Sequence, residues 1–274
     1  VVLDCVNGAG GVMSPKLLEK LGCEVVTINE EPHGKFPRTP EPRPEFLNEL
    51  SQKVKESKAD IGFAHDPDVD RLVVVDENGR ALSEEYTLAL SSWSVFENKS
   101  GIGVCNLSTS RMIEDIADKY NSKIIRTPVG EVNVAEKMIE TNAVIGGEGN
   151  GGVIIPEIHY TRDAPAAIAK ILEFVAKKES TLSRLISEIP SYEMIKDKIK
   201  FETLEKRAEI MKKMNNLKFE GVINVNKKDG IRFEWEKSWL HIRPSGTEPI
   251  IRIIGEAMDE RWLREKVNYI KNYA

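Results

Sequence analysis

Asp66-Pro67-Asp68-Val69-Asp70-Arg71 sets three carboxylates at alternate positions and follows them at once with a guanidinium. Alternate side chains of an extended chain share a face, so a slightly curled loop aims all three at one point. Negative charges that close together are costly unless a positive one sits among them. The fitting partner is a hard divalent cation with oxygen ligands, and Mg²⁺ commonly serves phosphate chemistry. Arg71 adds a fork able to hold a phosphate near the metal.

The same residues admit other readings. A solvated acidic turn is the plainest. An EF-hand would use Asp66, Asp68, Asp70 and Glu77, but Arg71 stands where that loop needs glycine, and Leu72-Val73-Val74-Val75 reads as strand rather than helix. A phosphatase with an Asp-x-Asp nucleophile pair after the strand Ile61-Gly62-Phe63-Ala64 stays open, although a third Asp and an immediate return strand suit it poorly.

Two further loops carry chemistry. Arg243-Pro244-Ser245-Gly246-Thr247-Glu248-Pro249 combines a guanidinium, two hydroxyls and a glycine whose amide can approach closely, which is a phosphate cradle, with Arg252 as a second fork on the next strand. Glu148-Gly149-Asn150-Gly151-Gly152 is a polar tip between two apolar strands. Ala59-Asp60-Ile61-Gly62 enters the acidic loop much as Ala143-Val144-Ile145-Gly146 enters this one, so two copies of one fold are expected to form two walls of a cleft.

The elements that must position these loops follow from periodicity. Strands are expected at Val1–Cys5, Glu24–Ile28, Asp60–Ala64 and Leu72–Asp76, and helices from Ser14-Pro15 to Leu21, over Glu45–Ser57 and over Glu84–Phe96. Asn7-Gly8-Ala9-Gly10-Gly11 lacks the GxGxxG spacing and reads as a tight strand-to-helix turn. The Pro-rich stretch from Glu31 to Pro44 is too long for a plain connection. A second unit repeats the alternation, with helices at Arg111–Tyr120, Glu131–Glu140 and Arg162–Lys177. The last third changes to short strands around Asp229-Gly230 and Lys237-Ser238 turns, closed by the amphipathic helix Glu260–Tyr273. The expected fold is α/β: two tandem α/β domains with mixed sheets, residues 1–99 and 100–192, then a smaller α+β domain with a mainly antiparallel sheet, residues 193–274.

Composition excludes several classes. A net charge of −5 with basic and acidic residues interleaved disfavours a nucleic-acid binder. No apolar run approaches the ~18 residues of a membrane span. Cys5, Cys23 and Cys105 have no CxxC spacing and read as reduced thiols of a cytoplasmic protein, and the four histidines show no metal-ligand spacing. The sequence opens without Met directly on a strand, as a piece of something longer would.

The three loops, in this order, resemble the α-D-phosphohexomutases, the family of phosphoglucomutase, phosphomannomutase and phosphoglucosamine mutase. The resemblance runs from Asp4-Cys5-Val6-Asn7-Gly8-Ala9-Gly10 through Gly34-Lys35-Phe36-Pro37 and Pro40-Glu41-Pro42 to the last helix. It implies that Asp66, Asp68 and Asp70 hold Mg²⁺, with Arg71 near the transferring phosphate as the catalytic group. It implies that Glu148 and Asn150 contact sugar hydroxyls, and that Arg243, Ser245, Gly246 and Thr247, with Arg252, grip the non-reacting phosphate. Hexose phosphate would be the substrate and hexose 1,6-bisphosphate the intermediate, with phosphate passed from an enzyme phosphoserine. The Ser-His-Asn-Pro-type core of that serine's loop does not occur here, so the chain resembles domains 2, 3 and 4 without the N-terminal domain and is expected to be inactive by itself. Pro67 stands where the family usually has Gly, and Glu131 where a basic residue is common. A naturally short phosphosugar-binding module and a metal-dependent phosphomonoesterase using Asp66 are the alternatives.

Overall fold

The computed structural model describes residues 1–274. The first sheet contains β1 (Val2–Asp4), β2 (Val26–Ile28), β3 (Ile61–His65) and β4 (Leu72–Asp76) in the order β2-β1-β3-β4. β1 runs parallel to β2 and β3, and β3 is antiparallel to β4. The second sheet contains β5 (Ile102–Asn106), β6 (Lys123–Thr127), β7 (Ile145–Glu148) and β8 (Gly152–Ile154) in the order β6-β5-β7-β8. β5 is parallel to β7, and β7 is antiparallel to β8. Position for position this is the same sheet twice, so the acidic loop (β3 to β4) and the polar loop (β7 to β8) are equivalent hairpin tips. The unbroken apolar run of β4 is buried along its whole length, as in a strand covered on both faces.

Helices α1 (Gly10–Lys20), α2 (Asn48–Ser57), α3 (Glu85–Asn98), α4 (Met112–Lys119), α5 (Glu131–Thr141), α6 (Ala164–Lys178) and α7 (Leu182–Ser187) belong to the same half of the chain. α3 and α6 pack on each other, and both touch β4 and β8. Trp93 of α3 meets Phe174 of α6 with ring centroids 5.0 Å apart. One helical layer thus serves both sheets, and Val1–Arg126 with Gly130–Pro190 forms one compact unit.

Three helix starts differ by two residues or more from the sequence expectation. α1 begins at Gly10, so Gly10-Gly11 is its first turn and Pro15 lies inside it rather than opening it. The helix expected from Glu45 is a 3₁₀ turn, Pro44–Phe46, followed by α2, because Phe46 and Leu47 bond three residues back to Arg43 and Pro44 carbonyls. α6 begins at Ala164, not Arg162, because the Asp163 carboxylate caps it by accepting Ala166 N–H at 2.8 Å.

The other unit is Thr127–Val129 with Ser191–Ala274. Its sheet is antiparallel throughout, in the order β10 (Asn224–Asn226), β11 (Ile231–Glu234), β12 (Trp239–Pro244), β13 (Ile250–Ala257), β9 (Glu193–Lys200). α8 (Leu204–Asn215) and α9 (Glu260–Tyr273) bring Met214, Leu263 and Ile270 against Leu240, Ile242 and Ile253 of the sheet. Cys5 and Cys105 are buried, and burial pushes the Cys5 thiol up to about 12. No helix is long and apolar enough to cross a membrane.

Candidate active site

The acidic loop curls as its three carboxylates require. Asp66 Oδ1 accepts the backbone N–H groups of Asp70 and Arg71, both at 3.0 Å, which closes the loop. Val69 takes a left-handed φ of 66°, a costly conformation for a β-branched residue. Asp66, Asp68 and Asp70 then each present one oxygen, all within 4.8 Å of one another. Asp66 is 2% exposed, and its Oδ2 has no hydrogen-bond partner. Arg71 Nε lies 3.2 Å from that oxygen but outside hydrogen-bonding geometry. Burial first, then the adjoining Asp70 carboxylate and the charge of Asp68, push the Asp66 carboxyl up to about 7 against the Arg71 backbone contact. A buried, unbonded carboxylate oxygen beside two further carboxylates fits a hard divalent cation.

Elements distant in sequence hold this loop. Pro67 O accepts Ala9 N–H at 2.9 Å, and a Cβ on Gly8 would lie 2.6 Å from Pro67 Cα, so the glycine turn doubles as the seat of the acidic loop. From the Pro-rich stretch, Arg38 Nε donates to Asp4 Oδ2 at 2.7 Å and Arg38 Nη2 to the His65 carbonyl at 2.9 Å. Arg71 Nη1 donates to Glu41 Oε1 at 2.8 Å. Arg38 and Glu41 thereby brace the two ends of the loop.

The second tip is bound to the first. Leu72 N–H donates to Gly151 O at 3.0 Å, and Ala164 N–H donates to Val69 O at 3.1 Å. Glu148 is 4% exposed. Its Oε1 accepts from Asn106 Nδ2 at 2.8 Å and Gly130 N at 3.1 Å, while Oε2 accepts from Arg162 Nη1 at 3.0 Å. Arg162 Nη2 reaches Asp70 Oδ2 as well. Asn150 Oδ1 accepts Gly152 N–H at 3.1 Å, leaving its NH₂ as the donor it can offer.

In the other unit, Arg243 and Arg252 are cross-strand partners and so share a sheet face. Arg243 Nε donates to Asp229 Oδ2 at 3.0 Å, and Arg252 Nη2 to Glu248 Oε2 at 2.8 Å. Ser245 is buried, and its hydroxyl accepts from Thr247 N at 3.4 Å and Glu248 N at 3.3 Å. Gly246 and Thr247 are exposed, and no atom comes within 4 Å of where a Gly246 Cβ would stand. An anion can approach that backbone closely.

Asp66, Asp68, Asp70, Arg71, Glu148 and Asn150 thus belong to one compact unit, and Arg243, Ser245, Gly246, Thr247 and Arg252 to the other. Sequence reasoning missed Arg38, Asn106, Arg162 and Asp229 as site residues. Arg38 lies in the Pro-rich stretch, Arg162 at an expected helix start and Asp229 in an expected turn, but nothing local in the sequence marks the partners of these four.

Residues 1–79 match the phosphoglucomutase/phosphomannomutase alpha/beta/alpha domain II, residues 83–192 domain III, and residues 195–271 the C-terminal domain of the same family. A phosphoglucomutase/phosphomannomutase of Thermococcus kodakarensis is 42% identical over 267 residues, covering 97% of this chain and 58% of that protein. A probable phosphoglucosamine mutase of Methanopyrus kandleri is 37% identical, covering 97% of this chain and 59% of the relative. The chain therefore spans less than two thirds of the length of either. The crystal structure of a phosphoglucomutase/phosphomannomutase family protein from Burkholderia thailandensis superposes with a TM-score of 0.87 at 27% identity, over 99% of this chain and 59% of that one.

Proposed function

Because the chain belongs to the phosphoglucomutase/phosphomannomutase family, we propose that the whole protein is a Mg²⁺-dependent mutase interconverting hexose 1-phosphates and hexose 6-phosphates. Phosphate passes from a phosphoserine outside residues 1–274 to the free hydroxyl of the sugar. The resulting hexose 1,6-bisphosphate turns over and returns its other phosphate to the serine.

Asp66, Asp68 and Asp70 hold the Mg²⁺, which when bound supplies positive charge beside the transferring phosphoryl group. Arg71 is the catalytic fork for phosphate oxygens. To take a phosphate it exchanges one of its carboxylate partners, and Glu41, at 36% side-chain exposure against 3% for Asp66, is the one it gives up. Glu148 and Asn150 orient the sugar. Two donors already fill Glu148 Oε1 and one occupies Oε2, so Oε2 has room for one sugar hydroxyl. Arg243, Ser245, Gly246, Thr247 and Arg252 grip the phosphate that is not reacting, with the Gly246 amide and the Arg243 fork as the accessible donors. Cys5, Cys23 and Cys105 form no disulfide, which accords with a reducing, cytoplasmic setting.

The observation that carries this proposal is the convergence of three carboxylate oxygens within 4.8 Å, on a loop where Asp66 Oδ2 is buried without a hydrogen bond. The test is turnover of glucose, mannose and glucosamine 1-phosphates by the full-length protein with Mg²⁺. Activity on none of the three would sink the proposal. Residues 1–274 alone are expected to bind hexose phosphate without turning it over, and phosphate release by this chain would favour a phosphomonoesterase instead.

A further inference from the structure

We propose that Arg162 is a positioning residue that couples cation binding on the acidic loop to the order of the sugar loop; the proposal rests on the reading of Asp66, Asp68 and Asp70 as cation ligands. Arg162 stands between three carboxylates from three different elements. Nη2 bonds Asp70 Oδ2, Nη1 bonds Glu148 Oε2 at 3.0 Å, and Nε lies 3.2 Å from Glu131 Oε2. The Arg162 backbone N–H also donates to Glu131 Oε1 at 2.8 Å. Its side chain is 15% exposed, so these contacts are poorly screened by solvent.

One guanidinium cannot neutralise three carboxylates, and its charge is divided among them. A cation among Asp66, Asp68 and Asp70 takes over part of the Asp70 charge. The guanidinium then commits more fully to Glu148 and Glu131. Glu148 Oε1 is already held by Asn106 and Gly130, so Oε2 is the end of that carboxylate whose position remains to be set. Arg162 sets it. The planar fork bridges two carboxylates at once, which a lysine ammonium on a flexible stem does not reproduce.

The scaffold does not depend on this side chain. The two tips are joined main chain to main chain by Leu72 N to Gly151 O, and α6 is joined to the acidic loop by Ala164 N to Val69 O. Replacing Arg162 therefore removes the electrostatic link and leaves the loops in place. Gly152 gives a second handle, because a Cβ there would lie 2.2 Å from Arg162 Cδ, against 3.1 Å from Asn150 Oδ1, and displace the arginine side chain first without changing any charge.

The experiment is amide hydrogen exchange of this chain with and without Mg²⁺ alone, comparing residues 66–72 and 147–152, alongside calorimetric titration with glucose 6-phosphate in both states. In the wild type, Mg²⁺ is expected to slow exchange in both segments by about threefold or more and to tighten glucose 6-phosphate about fivefold or more. In Arg162→Gln and Gly152→Ala, protection on Mg²⁺ addition is expected to stay within 66–72, and the affinity gain to fall to near unity. Arg162→Lys, which keeps the charge but not the fork, is expected to behave like Arg162→Gln. Protection that still spreads to 147–152 in Arg162→Gln, or full coupling in Arg162→Lys, overturns the role of Arg162 alone. No Mg²⁺ protection at 66–72 in the wild type overturns the cation reading, and the coupling with it.

Discussion

Leu72 N–H donates to the Gly151 carbonyl at 3.0 Å, so the root of the acidic loop and the tip of the second hairpin are one hydrogen-bonded piece. The bond needs glycine: Gly151 has φ +89°, and a Cβ there would lie 2.3 Å from Leu72 O. Gly151→Ala is expected to lower unfolding free energy by about 2–4 kcal/mol through strain and a backbone clash. Urea denaturation measures this, and an unchanged midpoint would show that the two tips separate freely.

Asp66→Asn keeps an oxygen at Oδ1 for the two loop-closing amides but removes a buried charge from a cluster of three. Without Mg²⁺ the variant is expected to be as stable as the wild type or more so, while its Mg²⁺ affinity falls at least about tenfold. Thermal melts with and without Mg²⁺ separate the two effects. A large loss of apo stability would mean that the carboxylate is structural.

Arg38 and Asp4 form a nearly dry ion pair, with side chains 9% and 3% exposed. Arg38→Met leaves Asp4 buried without its charge partner, and about 3–5 kcal/mol of stability is expected to be lost. Because Arg38 also holds the His65 carbonyl, Mg²⁺ affinity should fall as well. Calorimetry on the folded fraction checks that second effect.

His241 is held neutral. Burial, foremost, and the charges of Arg232 and Arg243 push its pKa from 6.5 down to about 4, only partly offset by the Asp229 backbone bond and carboxylate. Between those values the unfolded chain binds a proton that the folded chain refuses, so stability falls as pH drops. The contribution is complete above about pH 6.5 and is lost toward about pH 4, at up to about 1.4 kcal/mol per pH unit. Hydrogen exchange in β12 between about pH 7 and pH 5, corrected for intrinsic rates, should show this slope. His241→Gln should flatten it.

Arg243 is oriented by Asp229 through its Nε, which leaves both terminal nitrogens for a phosphate. Arg243→Ala is expected to weaken hexose-phosphate binding by about 2–4 kcal/mol, and Asp229→Asn, which loosens the guanidinium without removing it, by about 1 kcal/mol. Calorimetry with glucose 6-phosphate ranks the two. Equal losses would point to Asp229 acting on the fold of the loop instead.

Much of the candidate site is local in the chain, and that part was legible. Asp66, Asp68 and Asp70 converge because one six-residue loop carries all three. Their alternation, the apolar strands on either side and the Arg-Ser-Gly-Thr run after Trp239–Ile242 are visible without a fold. So is the internal repeat, because matched apolar stretches enter both hairpin tips. What the residue string could not show was which charges neutralise which. Arg162 meets Asp70 across 92 positions, and Arg38 meets Asp4 across 34. Such pairs leave no periodic trace, since Coulombic partners are chosen by distance in space and by how much water burial removes between them. The same holds for the glycine turn at Gly8, legible as a turn and not as the seat of Pro67. Residue order determined the cluster of three carboxylates; packing of α3 and α6 across both sheets decided that the two tips would touch and that one arginine would lie between them.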